Sequence, residues 1–315
     1  MTRRVLVTGA SGFVGRAVVA HFLAQGWAVR ASSRSPALTC PVGVEASQIG
    51  NTLDPQAWCA GVAGVDSVVH CAARVHVLRE DAADPLADFR RANVQATQAL
   101  AQAALSAGVR RFVFVSSVGV NGAQTSQRPF RADDPPAPHS PYAQSKLEAE
   151  QALQALTQGQ TMQTVIVRPP LVYGPGAPGN FARMLDALRR GLPLPLGAID
   201  NRRSLVAIDN LISLLHACAT HPQAAGNTFM VSDGEDLSTT QLLQRLGQAL
   251  GRPARLFPVP AALLRVAAAM LGRSDLARQL TGSLQVDIGA TRQKLGWSPP
   301  QSLDAALRQA VGAGR

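Results

Sequence analysis

Residues 4–26, RVLVTGASGFVGRAVVAHFLAQG, constrain the fold more than any other stretch of the chain. RVLVTG is a continuous apolar run of the kind that forms a strand buried on both faces. GRAVVAHFLAQG then has the apolar spacing of an amphipathic helix ending at Gly26. Between them stand Gly9, Gly12 and Gly15, a G-x-x-G-x-x-G pattern. Glycines at such a strand-to-helix turn permit a tight reversal and close backbone approach, and the helix N-terminus that follows can receive a pyrophosphate. The loop therefore nominates Gly9, Ser11, Gly12, Phe13, Val14 and Gly15 as cofactor contacts. A helix cap with a spare glycine is the bland alternative, and only context separates the two.

The context is an alternation. AVRASS (28–33), DSVVHCAA (66–73), RFVFVSS (111–117) and QTVIVRPPLV (163–172) read as further strands. A long Ala/Leu-rich helix (about 85–107) and a second helix after the Pro-rich loop RADDPPAPHSP (131–141) fall between them. Strand–helix alternation with apolar strands predicts an α/β chain with a parallel sheet covered on both faces. Beyond about residue 174, Gly/Pro-rich connectors such as GLPLPLG lead into mostly helical sequence, broken by one strand-like segment, TFMVSD (228–233), expected to return to the main sheet. The chain thus divides into a Rossmann-type doubly wound domain over 1–175, with about 205–233 returning to it, and a smaller, mainly helical lobe over 176–204 and 234–315.

Composition excludes several other classes. The net charge of +10 is almost wholly arginine, 28 against two lysines, but no arginine run exceeds two and no aromatics interleave them. That scatter argues against nucleic-acid binding and suits an anionic small ligand. The four cysteines show no metal-ligand spacing and read as reduced thiols. No signal peptide is expected ahead of the first strand, and no apolar run reaches the ~18 residues of a membrane span. PAALLRVAAAML (260–271), interrupted by Arg265, is expected to be a packed helix. A cytoplasmic protein without a membrane span is the expectation.

At the end of the second strand NAD-specific proteins usually carry Asp or Glu for the adenosine ribose. Here Ser32, Ser33 and Arg34 stand instead, with Arg16 nearby in sequence. Hydroxyls and a guanidinium welcome a 2′-phosphate, so NADP(H) is favoured over NAD(H). Asn51 or Asp54, in IGNTLD after a third strand, is placed to meet the adenine amino group.

The chemistry is carried by PHSPYAQSKLEAE (138–150), which holds one of two tyrosines and one of two lysines. Tyr142 and Lys146 are four residues apart and share a helix face. A nearby ammonium favours the phenolate and makes tyrosine a better proton exchanger near neutral pH. A hydroxyl donor is available at the carboxyl end of FVFVSS: Ser117 first, with Ser116 expected to meet cofactor or substrate. The alternative for both serines is a strand-end cap.

The glycine loop, HCAAR, the serine strand, Tyr142-x-x-x-Lys146 and RPPLVYGPG occur in one order and spacing across the chain. Together they resemble the extended short-chain dehydrogenase/reductase family, the NAD-dependent epimerases and dehydratases. The resemblance implies a catalytic triad of Ser117, Tyr142 and Lys146. It implies that Ala72, Ala73, Arg74 and Pro169 line the cofactor and that Asn93 supports the site, a satisfied helix asparagine being its plain alternative. It also implies a UDP-sugar substrate held by Asn180 and Arg203, and a homodimer built on helices 85–107 and 141–158. Within the family the chain looks closest to reductases of UDP-4-keto-6-deoxy-HexNAc, which make UDP-N-acetylquinovosamine for surface polysaccharide. A UDP-hexose 4-epimerase with retained NAD and a non-catalytic NADP-binding protein are the alternatives. A 4,6-dehydratase is disfavoured because Val118 and Gly119 follow Ser117, where family dehydratases carry Asp-Glu.

Overall fold

The computed structural model describes residues 2–34, 39–75, 84–272 and 274–312. The strands are β1 (Arg4–Thr8), β2 (Ala28–Ser33), β3 (Val44–Gln48), β4 (Ser67–His70), β5 (Arg111–Val115), β6 (Gln163–Arg168), β7 (Leu171–Tyr173), β8 (Arg203–Ala207), β9 (Thr228–Met230) and β10 (Asp236–Leu237). Seven of them form one parallel sheet in the order β3-β2-β1-β4-β5-β6-β9, with β1 opposite β4 from Val5↔Ser67 to Thr8↔His70. The order reverses direction at β1, between β2 and β4, and the carboxyl ends of strands at such a switch point are where open α/β sheets bind ligands.

The early helices are α1 (Phe13–Ala24), α2 (Pro55–Val62), α3 (Pro85–Phe89), α4 (Ala96–Ser106) and α5 (Pro141–Thr157). They are followed by α6 (Asn180–Arg189), α7 (Ile208–Thr220), α8 (Thr239–Ala249), α9 (Ala261–Met270), α10 (Ser274–Thr281), α11 (Gly289–Leu295) and α12 (Leu303–Gly312). Strand side chains alternate faces, and the core divides accordingly. Val5, Val7, Val69 and Val113 pack with α1 and α7 residues on one face, while Leu6, Val68, Phe112 and Phe114 pack with residues of α2, α4 and α5 on the other. A third apolar cluster, including Phe181, Leu185, Leu243 and Leu307, builds the C-terminal lobe. The expected doubly wound α/β architecture with a helical C-terminal region is the one found.

Three local expectations need correction. QTVIVRPPLV is two strands, because Pro169 and Pro170 lack the N–H a ladder requires; β6 ends at Arg168, and β7 pairs with β8 in a separate three-stranded sheet completed by β10. The 85–107 helix is divided by a π-helical segment, Arg90–Gln95, between α3 and α4. Residues 260–271 do form a helix, but none of α9 is buried.

Candidate active site

The glycine loop is built by close contact. Gly9 has φ +66°, and a Cβ there would lie 2.7 Å from the Ala72 nitrogen, so the ends of β1 and β4 meet only because Gly9 has no side chain. A Cβ on Gly15 would lie 2.1 Å from the Gly9 carbonyl oxygen, which seats the first turn of α1 on the loop. Gly12 donates its N–H to that same oxygen at 2.9 Å. It precedes a helix with no side-chain cap and no acid in its first turn, a cradle that fits a dinucleotide pyrophosphate. Val14 is half-buried against the sheet core, and half-buried Phe13 touches both that core and the C-terminal lobe's. Ser11 is exposed; the Ser33 hydroxyl donates to it at 3.4 Å, tying the end of β2 to the loop. Arg34 and Arg16 are exposed beside them. Asn51 accepts from the Leu53 N–H at 3.1 Å, and the Asp54 carboxylate is spent capping α2.

Helix α5 starts at Ser140, whose hydroxyl accepts from the Ala143 N–H, with Pro141 preorganised at the first position. Its inward stripe, Lys146, Ala149, Glu150 and Leu153, faces the sheet. Tyr142 is half-buried on the same side, and its phenol hydrogen-bonds the Ser117 hydroxyl. Ser117 stands just past β5 and also accepts from the Gly119 N–H at 3.1 Å. Ser117, Tyr142 and Lys146 thus gather at the carboxyl end of β5.

Electrostatics at this cluster differ from the expectation that Lys146 lowers the tyrosine. Burial dominates: it pushes the Tyr142 phenol up to about 12, with the Ser117 hydrogen bond pulling the other way. Lys146 is 1% exposed, with its Nζ 4.0 Å from the centroid of the Phe114 ring. Burial brings it down to about 7, opposed chiefly by the nearby Glu150 carboxylate. The same environment pushes the Cys71 thiol up to about 12, again by burial. Burial therefore keeps the phenol in its protonated form at neutral pH.

Ser116 is also corrected. Its hydroxyl donates to the Glu150 carboxylate and is buried, so it does not face cofactor or substrate. Asn93 is a clasp: it accepts from the Arg74 N–H at 2.8 Å and donates to the Arg74 carbonyl and the Ser145 hydroxyl, both at 3.0 Å. It joins the exit of β4 to α5 from within the π-helical segment, a distortion common at functional sites. Half-buried Ala72 donates its N–H to the Thr8 hydroxyl at 3.3 Å, and half-buried Ala73 follows it. The Arg74 guanidinium lies over Phe89, and the Pro169 carbonyl accepts from the Val118 N–H.

Two networks beneath the site were missed in the sequence. Glu150 and Arg168, both nearly fully buried, pair through two hydrogen bonds of 3.0 and 2.5 Å, and Arg168 also donates to Asn121 at 3.1 Å. The available signal was an arginine inside the apolar strand VIVRPP and a glutamate one turn past Lys146. The second network is a chain through His70. Its Nδ1 lies 2.6 Å from the Thr8 hydroxyl and its Nε2 2.9 Å from that of Thr97, which donates to the Asn93 carbonyl at 2.6 Å. The Thr97 hydroxyl hydrogen is committed to that carbonyl, so its oxygen accepts from His70 Nε2–H, and His70 Nδ1 accepts from the Thr8 hydroxyl. Burial lowers its pKa to about 3 and keeps it neutral.

On the lobe side, Asn180 and Arg203 converge on one segment. Asn180 donates to the Gln279 side chain at 2.5 Å, and Arg203 donates to the main-chain carbonyls of Gln279 and Gly282 at 2.8 and 3.1 Å. The other tyrosine, Tyr173, is buried and donates to Asp233 at 2.7 Å, which excludes it from the chemistry. Among the described residues no cluster of His, Cys, Asp and Glu could hold a metal ion.

The model of the NAD dependent epimerase/dehydratase family matches residues 5–232. The chain belongs to this family. It is 40% identical over 99% of its length to UDP-glucose 4-epimerase from Vibrio cholerae, covering 96% of that protein. It is 30% identical to a 4-hydroxy-2-methyl-3-oxo-4-farnesyl-3,4-dihydroquinoline-1-oxide ketoreductase from Stigmatella aurantiaca, over 99% of this chain and 98% of that one. Among solved structures, MoeE5 in complex with UDP-glucose and NAD superposes with a TM-score of 0.76 at 25% identity, over 98% of this chain and 97% of the other. The family member described here is thus an enzyme of the extended short-chain dehydrogenase/reductase type.

Proposed function

We propose that this enzyme reduces the C4 ketone of a nucleotide-activated 4-keto-6-deoxy sugar, UDP-4-keto-6-deoxy-GlcNAc in the first instance, for surface polysaccharide synthesis. The observation that carries the chemistry is the hydrogen-bonded Tyr142–Ser117 pair at the carboxyl end of β5, with the phenol held protonated. Tyr142 gives its proton to the C4 oxygen, and Ser117 hydrogen-bonds the charge that develops there. Lys146 holds the nicotinamide ribose. When bound, the nicotinamide cofactor supplies hydride exchange with C4. Asn180 and Arg203 take the diphosphate, and long helices α4 and α5 form the homodimer face.

Reduction, rather than epimerisation, is supported by Ser33 and Arg34 where a carboxylate would favour NAD, since a reductase draws on exchangeable NADPH. The second reading, a UDP-hexose 4-epimerase with retained NAD, is favoured by the full-length similarity to the V. cholerae protein. The deciding assay is oxidation of NADPH and of NADH with UDP-4-keto-6-deoxy-GlcNAc, generated in place by a 4,6-dehydratase. Stoichiometric loss of nicotinamide absorbance, faster with NADPH, is expected. No oxidation, with interconversion of UDP-Glc and UDP-Gal by enzyme that retains NAD, would replace this reading by the epimerase.

A further inference from the structure

We propose that the apolar face of α9, flanked by arginines, docks this protein onto an anionic lipid bilayer. Among the described residues eight large hydrophobic side chains are strongly exposed, and six of them, Leu192, Phe257, Leu263, Val266, Met270 and Leu271, belong to the C-terminal lobe. The four on or just after α9 are 57–78% exposed, far beyond what a packed helix shows. Only a narrow stripe of α9, including Ala261 and Leu264, packs on the lobe core. Leu263, Val266 and Met270 follow one another at three- and four-residue spacing and share the outer side of the helix. Phe257 extends the patch: its N–H donates to the Leu194 carbonyl at 3.1 Å, so residues 192–194 run alongside it.

Charge identifies the occupant. From Arg252 to Leu271 the chain has three arginines and no carboxylate. Arg252, Arg255 and Arg265 are all exposed, and Arg265 leaves α9 on a different side from Leu263 and Met270, so the arginines flank the apolar face and do not stand within it. An apolar helix side flanked by cations is the pattern of a helix lying in a membrane interface, and the cations complement anionic headgroups. A second copy of this chain fits the face less well, because an isologous contact would set like-charged arginines against each other. At ten residues α9 is about 15 Å long and lies on a bilayer rather than crossing one. It is followed by α10, whose Gln279 contacts Asn180 and Arg203, so docking brings the substrate side of the molecule to the membrane surface. This inference is independent of the reaction assigned above.

The test is co-sedimentation of the full-length protein with sucrose-loaded vesicles of phosphatidylglycerol in phosphatidylcholine, against phosphatidylcholine alone. Pelleting is expected with the anionic vesicles, about tenfold weaker with neutral ones and weakened by high salt. The double variant Leu263→Glu/Met270→Glu changes only exposed positions; it should lose about tenfold in vesicle binding while cofactor affinity, which checks folding, is unchanged. Failure of the wild type to pellet, equal pelleting on neutral vesicles, or undiminished binding by the double variant would overturn the proposal. So would an oligomer that the double variant dissociates in light scattering while neither protein binds vesicles, an outcome that assigns the face to a second copy.

Discussion

Tyr142 was legible because it is one of two tyrosines and stands four residues before one of two lysines on a helix. What the spacing did not carry was its environment: burial, rather than the lysine, sets the phenol's proton affinity. Tyr142→Phe should lower kcat by about 10²–10⁴-fold with cofactor affinity unchanged, and Ser117→Ala by about 10²-fold; both are read by single-turnover kinetics. Lys146 makes a pH prediction. Its pKa falls from 10.5 unfolded to about 7 folded, so above pH 7 the unfolded chain binds the extra proton. Stability of the cofactor-free protein should therefore rise with pH from about 7 to 9. Above 9 the opposite contribution of Cys71, whose thiol is raised to about 12, begins to cancel it. Urea titrations across this window should show the slope in the wild type and lose most of it in Lys146→Met.

Elements were legible wherever period and punctuation agreed. β1, α1 and β2 follow from apolar runs and the glycines between them, and the packing of Val5 and Val7 on one sheet face and Leu6 on the other follows from the pleat. The π-helical turn at Arg90–Gln95 has no sequence signature of its own; it is fixed by what Asn93 must reach on both sides. The Glu150–Arg168 pair is equally invisible, since its partners are 18 residues apart on different elements and meet only when α5 lies across the end of β6. Removing one member of a buried pair strands the other charge. Glu150→Leu should cost about 3–5 kcal/mol, and the double variant Glu150→Leu/Arg168→Met much less than the sum of the singles, by chemical denaturation. A double variant that loses the full sum of the two singles would mean that the pair is not coupled.

At the scale of the molecule, a strap joins the catalytic side to the lobe. Residues 283–287 accept from and donate to the loop at 125–130: Thr125 N–H to the Ser283 carbonyl at 2.9 Å, and Phe130 N–H to the Gln285 carbonyl at 2.8 Å. The same strap exchanges hydrogen bonds with the β8 edge through Arg202, Leu284 and Ser204. Arg203 anchors its start, while Asn180 reaches the same place from α6. No local pattern announces this, because it joins segments more than 70 residues apart and depends on how the lobe closes over the sheet. On the function proposed above, a division of labour follows: the glycine cradle would hold cofactor without the strap, whereas the sugar nucleotide would need it. Arg203→Gln keeps a hydrogen-bonding side chain but removes the charge. It should raise KM for the sugar nucleotide by about 10–100-fold, as expected for a lost charge-assisted contact. Cofactor Kd, measured by fluorescence quenching in the same variant, should stay within about twofold of wild type. Equal loss of cofactor and sugar affinity would show instead that Arg203 supports the fold as a whole and that the two lobes do not divide the ligands between them.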